Sequence, residues 1–283
     1  VSCDGFCSLT TKIPQCLVLH DLAFLHHPSF IKKSHLLFYK KYTPKFLEKA
    51  KSVVTVSEFS KKDMLVHYKL EPGKIDVVFS AAKEIFHPAG EEEKATTKNK
   101  YTEGKEYFVY AGAIHPRKNL MNLLKAFSVF KKRQQTNMKL LLTGRLAWKY
   151  GSFIESLKTY KYRNDVVMTG YVPEEELVKI IGAAYGLVYP SLLEGFAVPV
   201  LEAMRSDVPV ITSAGSAMQE IAKDAALYAN ASSYTDMADK MILLYKNETL
   251  RKQLIENGRH ITGQYSWDKT ADLLWKSIVK ACQ

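Results

Sequence analysis

From Tyr107 onward the chain repeats one pattern: a short apolar run that stops at a glycine, then a segment with apolar residues at helical spacing. Tyr107-Phe108-Val109-Tyr110-Ala111 ends at Gly112, and Asn119 to Lys132 then sets Leu120, Leu123, Leu124, Phe127 and Phe130 on one helical face, with Asn119 in the N-cap position. Lys139-Leu140-Leu141-Leu142-Thr143 ends at Gly144 in the same way. Further strands are expected at 166–168, 186–189, 208–211 and 226–228, and helices at about 152–160, 174–184, 197–205 and 216–223. Strands that are apolar on both faces need cover on both faces, and helices between them impose right-handed crossovers and a parallel sheet. This predicts a doubly wound α/β domain whose ligands sit at the carboxyl ends of the strands.

The first part of the chain has the same grammar in shorter form. Strands are expected at 16–20, 52–56 and 75–78, and helices near 34–50 and 57–68. The run Pro88 to Lys105 contains GEEEKATTKNK, has no apolar periodicity and reads as a linker. Two or three helices without another strand fill the tail from Tyr234 to Gln283. Three strands are few for a domain of this class, and the chain begins at Val1 rather than Met, so the expectation is that the opening portion of the first domain lies outside this sequence. The predicted division is a partial first domain over 1–87, a linker over 88–105, a second domain over 106–265, and a C-terminal helix over 266–283 packing back toward the first domain.

With 40 Lys and Arg against 29 Asp and Glu, the formal charge of +11 favours an anionic partner: nucleic acid, a membrane surface or a phosphorylated small molecule. No recognisable nucleic-acid motif is present, and nucleic-acid binding is not expected. No apolar run approaches the roughly 18 to 20 residues that span a bilayer. The first residues lack the basic segment and apolar stretch of a signal peptide. Cys3 and Cys7 form a C-x3-C spacing with no second pair or suitably spaced histidine, so Cys3, Cys7, Cys16 and Cys282 read as free thiols in a reducing, cytoplasmic setting.

The densest candidate site is Tyr189-Pro-Ser-Leu-Leu-Glu-Gly-Phe-Ala-Val-Pro-Val-Leu-Glu-Ala-Met-Arg205, where a buried strand leads through a loop into a helix. Gly195 allows close backbone approach, and the first helical turn offers N–H groups to an anion. Glu194 and Glu202 lie eight residues apart; if helical, that is about 12 Å of rise and roughly 80° of rotation, so both carboxylates can line one cleft at different depths. The same spacing also fits a solvated glutamate at a helix start and a second surface glutamate. Gly112-Ala-Ile-His-Pro-Arg-Lys-Asn-Leu120 is the second candidate, since Arg117 and Lys118 are placed to neutralise a diphosphate, although a solvated basic loop reads alike.

Taken together in this order, these motifs resemble the family-4 retaining glycosyltransferases of GT-B fold, whose acid pair follows an E-x7-E pattern. Glu194 to Glu202 matches that pattern, Gly112 to Leu120 resembles the family's G-x-x-x-P-R-K-N-L loop, and Thr169-Gly-Tyr-Val172 and Ser216-Ala-Met-Gln-Glu220 follow in the family's order. The resemblance implies an α/β fold of GT-B type, with two doubly wound Rossmann-like domains facing across a cleft, the first incomplete here. It implies a hexosyltransferase that moves a mannose- or glucose-type sugar from a GDP- or UDP-linked donor to a glycan or lipid-linked acceptor, in polysaccharide biosynthesis, with no metal or other cofactor. The alternatives are a GT-B sugar-nucleotide epimerase and a non-catalytic nucleotide-sugar-binding remnant.

On that resemblance, Gly112, Arg117 and Lys118 bind the diphosphate, with Lys118 stabilising the departing nucleotide. The backbone N–H groups of Phe196, Ala197 and Val198, next to Gly195, serve the same anion. Glu202 accepts from the ribose, Glu194 holds donor-sugar hydroxyls, and the backbone at Tyr171 and Val172 meets the base. His20, followed by Asp21, matches the family's His-Asp segment and positions the transferred sugar; a structural histidine bonded to Asp21 or to backbone is the other reading. The sequence departs from the family at Ala113, where Arg is common, at Ala197 and Asp207, where Gly is usual, and at Gln219, where Pro is usual. It also lacks the glycine-rich loop expected after the family's first strand. His26, His27 and His35 have poor spacing for a metal and read as surface residues. Ser34 to Lys51 is basic and aromatic, fitting either an amphipathic packing helix or a helix at the inner face of an anionic membrane.

Overall fold

The computed structural model describes residues 1–283, which divide into two compact units: Val1–Ala81 with Leu193–Ala197 and Tyr265–Gln283, and Ala82–Leu192 with Val198–Gln264. No helix is long and apolar enough to cross a membrane.

The first unit holds strands β1 (Cys16–Val18), β2 (Ser52–Thr55) and β3 (Ile75–Val77) in one parallel sheet of order β1-β2-β3. Helices α1 (Ala23–His26), α2 (Lys33–Lys49) and α3 (Glu58–His67) belong to the same unit. Ser57 caps α3, its hydroxyl accepting from the Ser60 N–H at 3.1 Å. Leu17, Val53 and Ile75 enter a core with Phe24, Phe46, Leu47 and Met64. Cys16, Val18, Val54 and Val78 pack instead with Ala281, Leu273, Leu274 and Ile278 of the last helix, Trp267–Cys282. That helix is fastened by Ser277 Oγ donating to Asp76 Oδ2 at 2.9 Å and by Lys280 Nζ at 2.7 Å from Asp76 Oδ1. Period-two alternation thus feeds both sheet faces, although the second cover arrives from the far end of the sequence.

The second unit opens with α4 (Glu91–Thr102) and then alternates β4 (Tyr107–Ala111), α5 (Leu120–Gln134), β5 (Lys139–Thr143), α6 (Gly151–Lys158), β6 (Val166–Gly170), α7 (Glu174–Gly182), β7 (Gly186–Tyr189), α8 (Val198–Arg205), β8 (Val210–Ser213), α9 (Ala217–Ala222) and β9 (Ala226–Ala229), before α10 (Tyr234–Lys246) and α11 (Glu248–Thr262). The C-terminal helix of the first unit is then α12. All six strands pair in parallel in the order β6-β5-β4-β7-β8-β9. Connections run outward from β4 through β5 to β6 and then return to β7 on its other side, so the strand order reverses between β4 and β7.

Three expectations need correction. The stretch 88–105 is not a linker: α4 occupies most of it, and the second unit starts at Ala82. Its first turn holds Glu91, Glu92 and Glu93, which favour the positive end of the helix dipole, and Lys100 Nζ and Tyr101 OH reach Glu176 of α7 at 2.7 and 2.6 Å. A helix held by polar contacts carries no apolar stripe to read. The second domain is also not the continuous span 106–265, because Leu193–Ala197 joins the first unit. Asn119 does not cap α5 with its side chain; it adopts a left-handed conformation at φ +62° and spends its amide elsewhere.

Candidate functional site

Parallel strands leave their loops at one edge, and the reversal between β4 and β7 opens the place where two of those loops diverge. The loops after β4 and β5 touch backbone to backbone there. A Cβ on Gly144, whose φ is +140°, would lie 1.9 Å from the Gly112 carbonyl oxygen. Ile114 N–H donates to the Arg145 carbonyl at 2.9 Å, binding the two loops together.

Beyond Ile114 the loop turns through a 3-10 turn at Pro116–Lys118 and is pinned to the end of β7. The Arg117 carbonyl accepts from Leu192 N–H at 2.9 Å and from Ser191 Oγ at 3.2 Å. The buried Asn119 donates to the carbonyls of Pro190 at 3.1 Å and Ala231 at 2.7 Å. Lys118 Nζ donates to the Tyr189 hydroxyl at 2.6 Å and stands 4.9 Å over its ring. Tyr189 in turn stacks on Tyr110 at 5.8 Å. The ammonium is thereby held at the switch point by groups that are themselves buried and packed.

Next to this loop is a cavity of about 270 Å³ whose wall includes Gly112, Gly144, Arg145, Tyr171, Val172 and Glu202. Tyr171 is 78% exposed and forms its rim. Glu202 enters from α8, and its carboxyl is pushed up to about 7: burial is the main cause, the Glu174 carboxylate adds to it, and Lys83 opposes it. Lys83 Nζ is itself paired with Glu174 Oε1 at 2.6 Å. The cavity therefore combines an apolar floor with one carboxyl poised between its two protonation states near neutrality.

The first unit gathers a different set. Glu194 is 7% exposed, and a Cβ on the neighbouring Gly195 would lie 2.3 Å from the His20 carbonyl oxygen and 3.2 Å from Asp21 Cβ. Only glycine lets those backbones approach so closely. Phe196 lies beside Phe79 and Tyr265, with ring centroids 6.5 and 5.7 Å away. Ala197 takes φ +76°, the conformation in which glycine is at ease. Val198 begins α8, and Pro199 behind it brings no N–H to the first turn. His20 is exposed, with Nε2 3.3 Å from the Cys3 carbonyl, and Asp21 Oδ1 accepts from Ala23 N–H at 2.9 Å.

Of the residues singled out in the sequence, the second unit brings together Gly112, Tyr171, Val172 and Glu202 on one cavity, with Arg117 and Lys118 on the pinned loop outside its wall, and Val198 at the head of α8. His20, Glu194, Gly195, Phe196 and Ala197 belong to the first unit. Sequence reasoning missed Tyr189 as the Lys118 partner, Arg145 in the cavity wall, and the Lys83–Glu174 pair whose opposite charges modulate the buried Glu202. The last had no signal to offer, since its members stand 91 residues apart. Asn119 was visible, but its polar amide was assigned to a helix cap.

Comparison with known proteins places these observations. A family model described as "Glycosyl transferases group 1" matches residues 91–261. The chain is 27% identical over 250 residues to O-antigen chain mannosyltransferase B of Escherichia coli, covering 88% of this chain and 66% of that protein. It is 30% identical over 218 residues to the O-antigen chain mannosyltransferase RfbU of Salmonella typhimurium, covering 76% of this chain and 56% of that one. The chain thus spans less than two thirds of either relative. Among solved structures, sucrose-phosphate synthase from Thermosynechococcus elongatus superposes with a TM-score of 0.80 at 20% identity, covering 96% of this chain and 69% of its own. Anabaena HepE in complex with UDP and glucose gives a TM-score of 0.80 at 13% identity, covering 94% and 71%. The fold they share with this chain is the α/β, parallel-sheet fold of GT-B type.

Proposed function

The chain belongs to the glycosyl transferases group 1 family, and from that premise we propose that it carries the donor site of a retaining hexosyltransferase. The reaction is transfer of a mannose-type hexose from a GDP- or UDP-linked donor to a glycan or lipid-linked acceptor. The observation that carries this reading is the cavity at the strand switch point, with the Glu202 carboxyl in its wall and the Lys118 ammonium held beside it. The O-antigen mannosyltransferases among its relatives favour mannose and a glycan acceptor.

In this reading the base lies along the backbone at Tyr171 and Val172, and the ribose hydroxyls donate to Glu202. Arg117 and Lys118 neutralise the diphosphate. Lys118 contributes most as charge builds on the departing phosphate, since a held donor needs no reorganisation at that moment. The N–H groups of Phe196, Ala197 and Val198 serve the same charge. Glu194 holds donor-sugar hydroxyls, and His20 orients the transferred sugar. The acceptor attacks from the face the nucleotide leaves, and the departing phosphate takes its proton, so the anomeric configuration is retained. No metal is required for this charge balance.

The solvent face of α2 carries Lys40, Lys41, Lys45 and Lys49 together with the exposed Leu37 and Phe38, while Phe46 and Leu47 are buried in the core. That mixture suits the anionic inner surface of a membrane bearing a lipid-linked acceptor.

The test is ligand protection. GDP or UDP at about 100 times its Kd adds roughly 2.7 kcal/mol to stability, read as a higher Tm. Glu202→Ala removes that shift. Failure of both nucleotides to bind sinks the donor-site reading, and conversion of the donor to an epimer with no acceptor present would replace transfer by epimerisation.

A further inference from the structure

The sequence spacing of His26, His27 and His35 argues against a metal, but the fold supplies other partners for the first of these. His26 is the last residue of α1. Asp63 and His67 stand four residues apart on α3, hence on one face of that helix. Leu22, Phe24 and Met64 belong to one buried cluster. His26 Nε2 lies 2.9 and 2.8 Å from the two carboxylate oxygens of Asp63. His67 Nδ1 lies 3.1 Å from Asp63 Oδ1 and 2.9 Å from the Asp63 backbone carbonyl. The imidazoles meet edge to face at 5.2 Å.

We propose that His26, Asp63 and His67 form a binding site for a borderline divalent cation of the zinc type. One donor atom from each of the three side chains lies within 4.8 Å of the others. Ligands placed 2.0–2.2 Å from a tetrahedral zinc are about 3.3 Å apart, so the site closes by a small movement of the two imidazoles. Asp63 is 12% exposed, while both histidines are 34% exposed, so the movement takes the imidazoles toward solvent. Two imidazole nitrogens and one carboxylate suit zinc, cobalt and nickel better than calcium or magnesium, and the open side admits water to complete the coordination. Binding releases any proton held on the ligating nitrogens, and His67 exchanges its contact with the Asp63 carbonyl for the metal. Such a cation ties α1, and with it the His20–Asp21 loop just before it, to α3. It is a fastening for the first unit and takes no part in the proposed transfer.

The experiment is titration of the full chain with Zn(II), followed by substitution with Co(II), whose visible spectrum reports its ligands. The expected result is one equivalent bound with a nitrogen and oxygen spectrum, a higher Tm, and affinity weakened more than about tenfold in Asp63→Asn and His67→Ala. His35→Ala leaves the affinity unchanged. The proposal is overturned by an absence of Zn(II) binding, by parental affinity in the Asp63 and His67 variants, or by a thiolate-to-cobalt band showing that Cys3 and Cys7 hold the metal. If one variant misfolds, the other and His26→Ala carry the same test.

Discussion

The two units reach their candidate residues by opposite routes. In the second, each functional group follows its own strand: Gly112 after β4, Arg145 after β5, Tyr171 and Val172 after β6, and the Lys118 partner Tyr189 at the end of β7. In the first, five residues from the middle of the chain and a helix from its end are added to a three-stranded sheet made near its start. The E-x7-E motif is divided by this boundary, since Glu194 falls in the first unit and Glu202 in the second. A motif contiguous in sequence therefore serves two separately built scaffolds. Both units rest on close backbone approaches at glycine, Gly144 to Gly112 in the second and Gly195 to His20 in the first, but only in the first does the approach join segments far apart in the chain.

Gly195→Ala tests that dependence most severely. The added Cβ meets the His20 carbonyl at 2.3 Å, so backbone on one side must move. A shift of about 1 Å in groups that orient a reacting sugar costs about a hundredfold, so under the proposed function kcat/KM for hexose transfer is expected to fall by that much. Gly73→Ala, which meets nothing within 4 Å, is the control in the same unit. Equal activity in the two variants would mean that the approach of residue 195 to His20 has no role in placing the sugar.

The corresponding test in the second unit is Asn119→Ala. It strips one hydrogen bond each from the Pro190 and Ala231 carbonyls and leaves an alanine at φ +62°. Losing buried bonds of this kind costs about 1–3 kcal/mol, seen as a lower urea midpoint. Nucleotide affinity should weaken with it, because the Arg117–Lys118 turn loses its anchor. Unchanged stability would show that the loop's other contacts, at Ile114, the Arg117 carbonyl and Lys118, hold it without Asn119.

That contrast also explains what was legible beforehand. The strands of the second unit announced themselves because each is a continuous apolar run closed by a turn, and the cavity residues lie where such strands must end. The short strands of the first unit were found for the same reason, with ends one or two residues earlier than expected at Val18, Thr55 and Val77. What sequence could not show was contact at long range. Glu174 and Lys83, 91 residues apart, carry no mark of their pairing in the sequence, and only the fold brings both to act on Glu202. Helix α4 was hidden because its buried positions are Thr97 and Thr102 rather than leucines. Ala197 and Asp207, seen as departures from a glycine pattern, acquire their reason in the structure: both have positive φ, +76° and +57°.

The state of Glu202 gives a smaller but directional test. With its carboxyl pushed up to about 7, the ionised fraction falls from about nine-tenths at pH 8 to about one-tenth at pH 6. If the ribose hydroxyls donate to the carboxylate, nucleotide affinity drops about tenfold across that interval. The stability of the unliganded protein runs the other way. A carboxyl raised by folding binds its proton more tightly in the folded state, so its contribution is complete below the ordinary value of 4.5 and lost as pH rises through about 7. Calorimetry on the parent and on Glu202→Gln separates this from titration of the nucleotide's own phosphate. The variant should lose both slopes, and a parent with no excess pH dependence over it would remove Glu202 from the binding site.

The weakest expected effect is the most pointed for the comparison, since Ala197 and Asp207 carry the same backbone conformation into different units. At Ala197 left-handed strain of about 1–2 kcal/mol is opposed by burial of the methyl group, at 7% exposure worth about 0.8 kcal/mol, while glycine costs about 0.4–1 kcal/mol through the freedom of the unfolded chain. Ala197→Gly should therefore change stability by less than about 1 kcal/mol, its sign showing whether relief of strain or loss of the buried methyl is larger. Asp207 is different: its carboxylate receives Arg259 through two hydrogen bonds at 2.8 and 2.7 Å, so Asp207→Gly relieves strain and loses a bidentate pair together. No gain is expected there, and Asp207→Gly made in an Arg259→Ala background, where no pair with residue 207 is left to lose, should show the strain relief by itself. If Asp207→Gly alone stabilises as much as it does in that background, the Arg259 pair contributes nothing, and backbone strain by itself explains why glycine is the family's choice at that position.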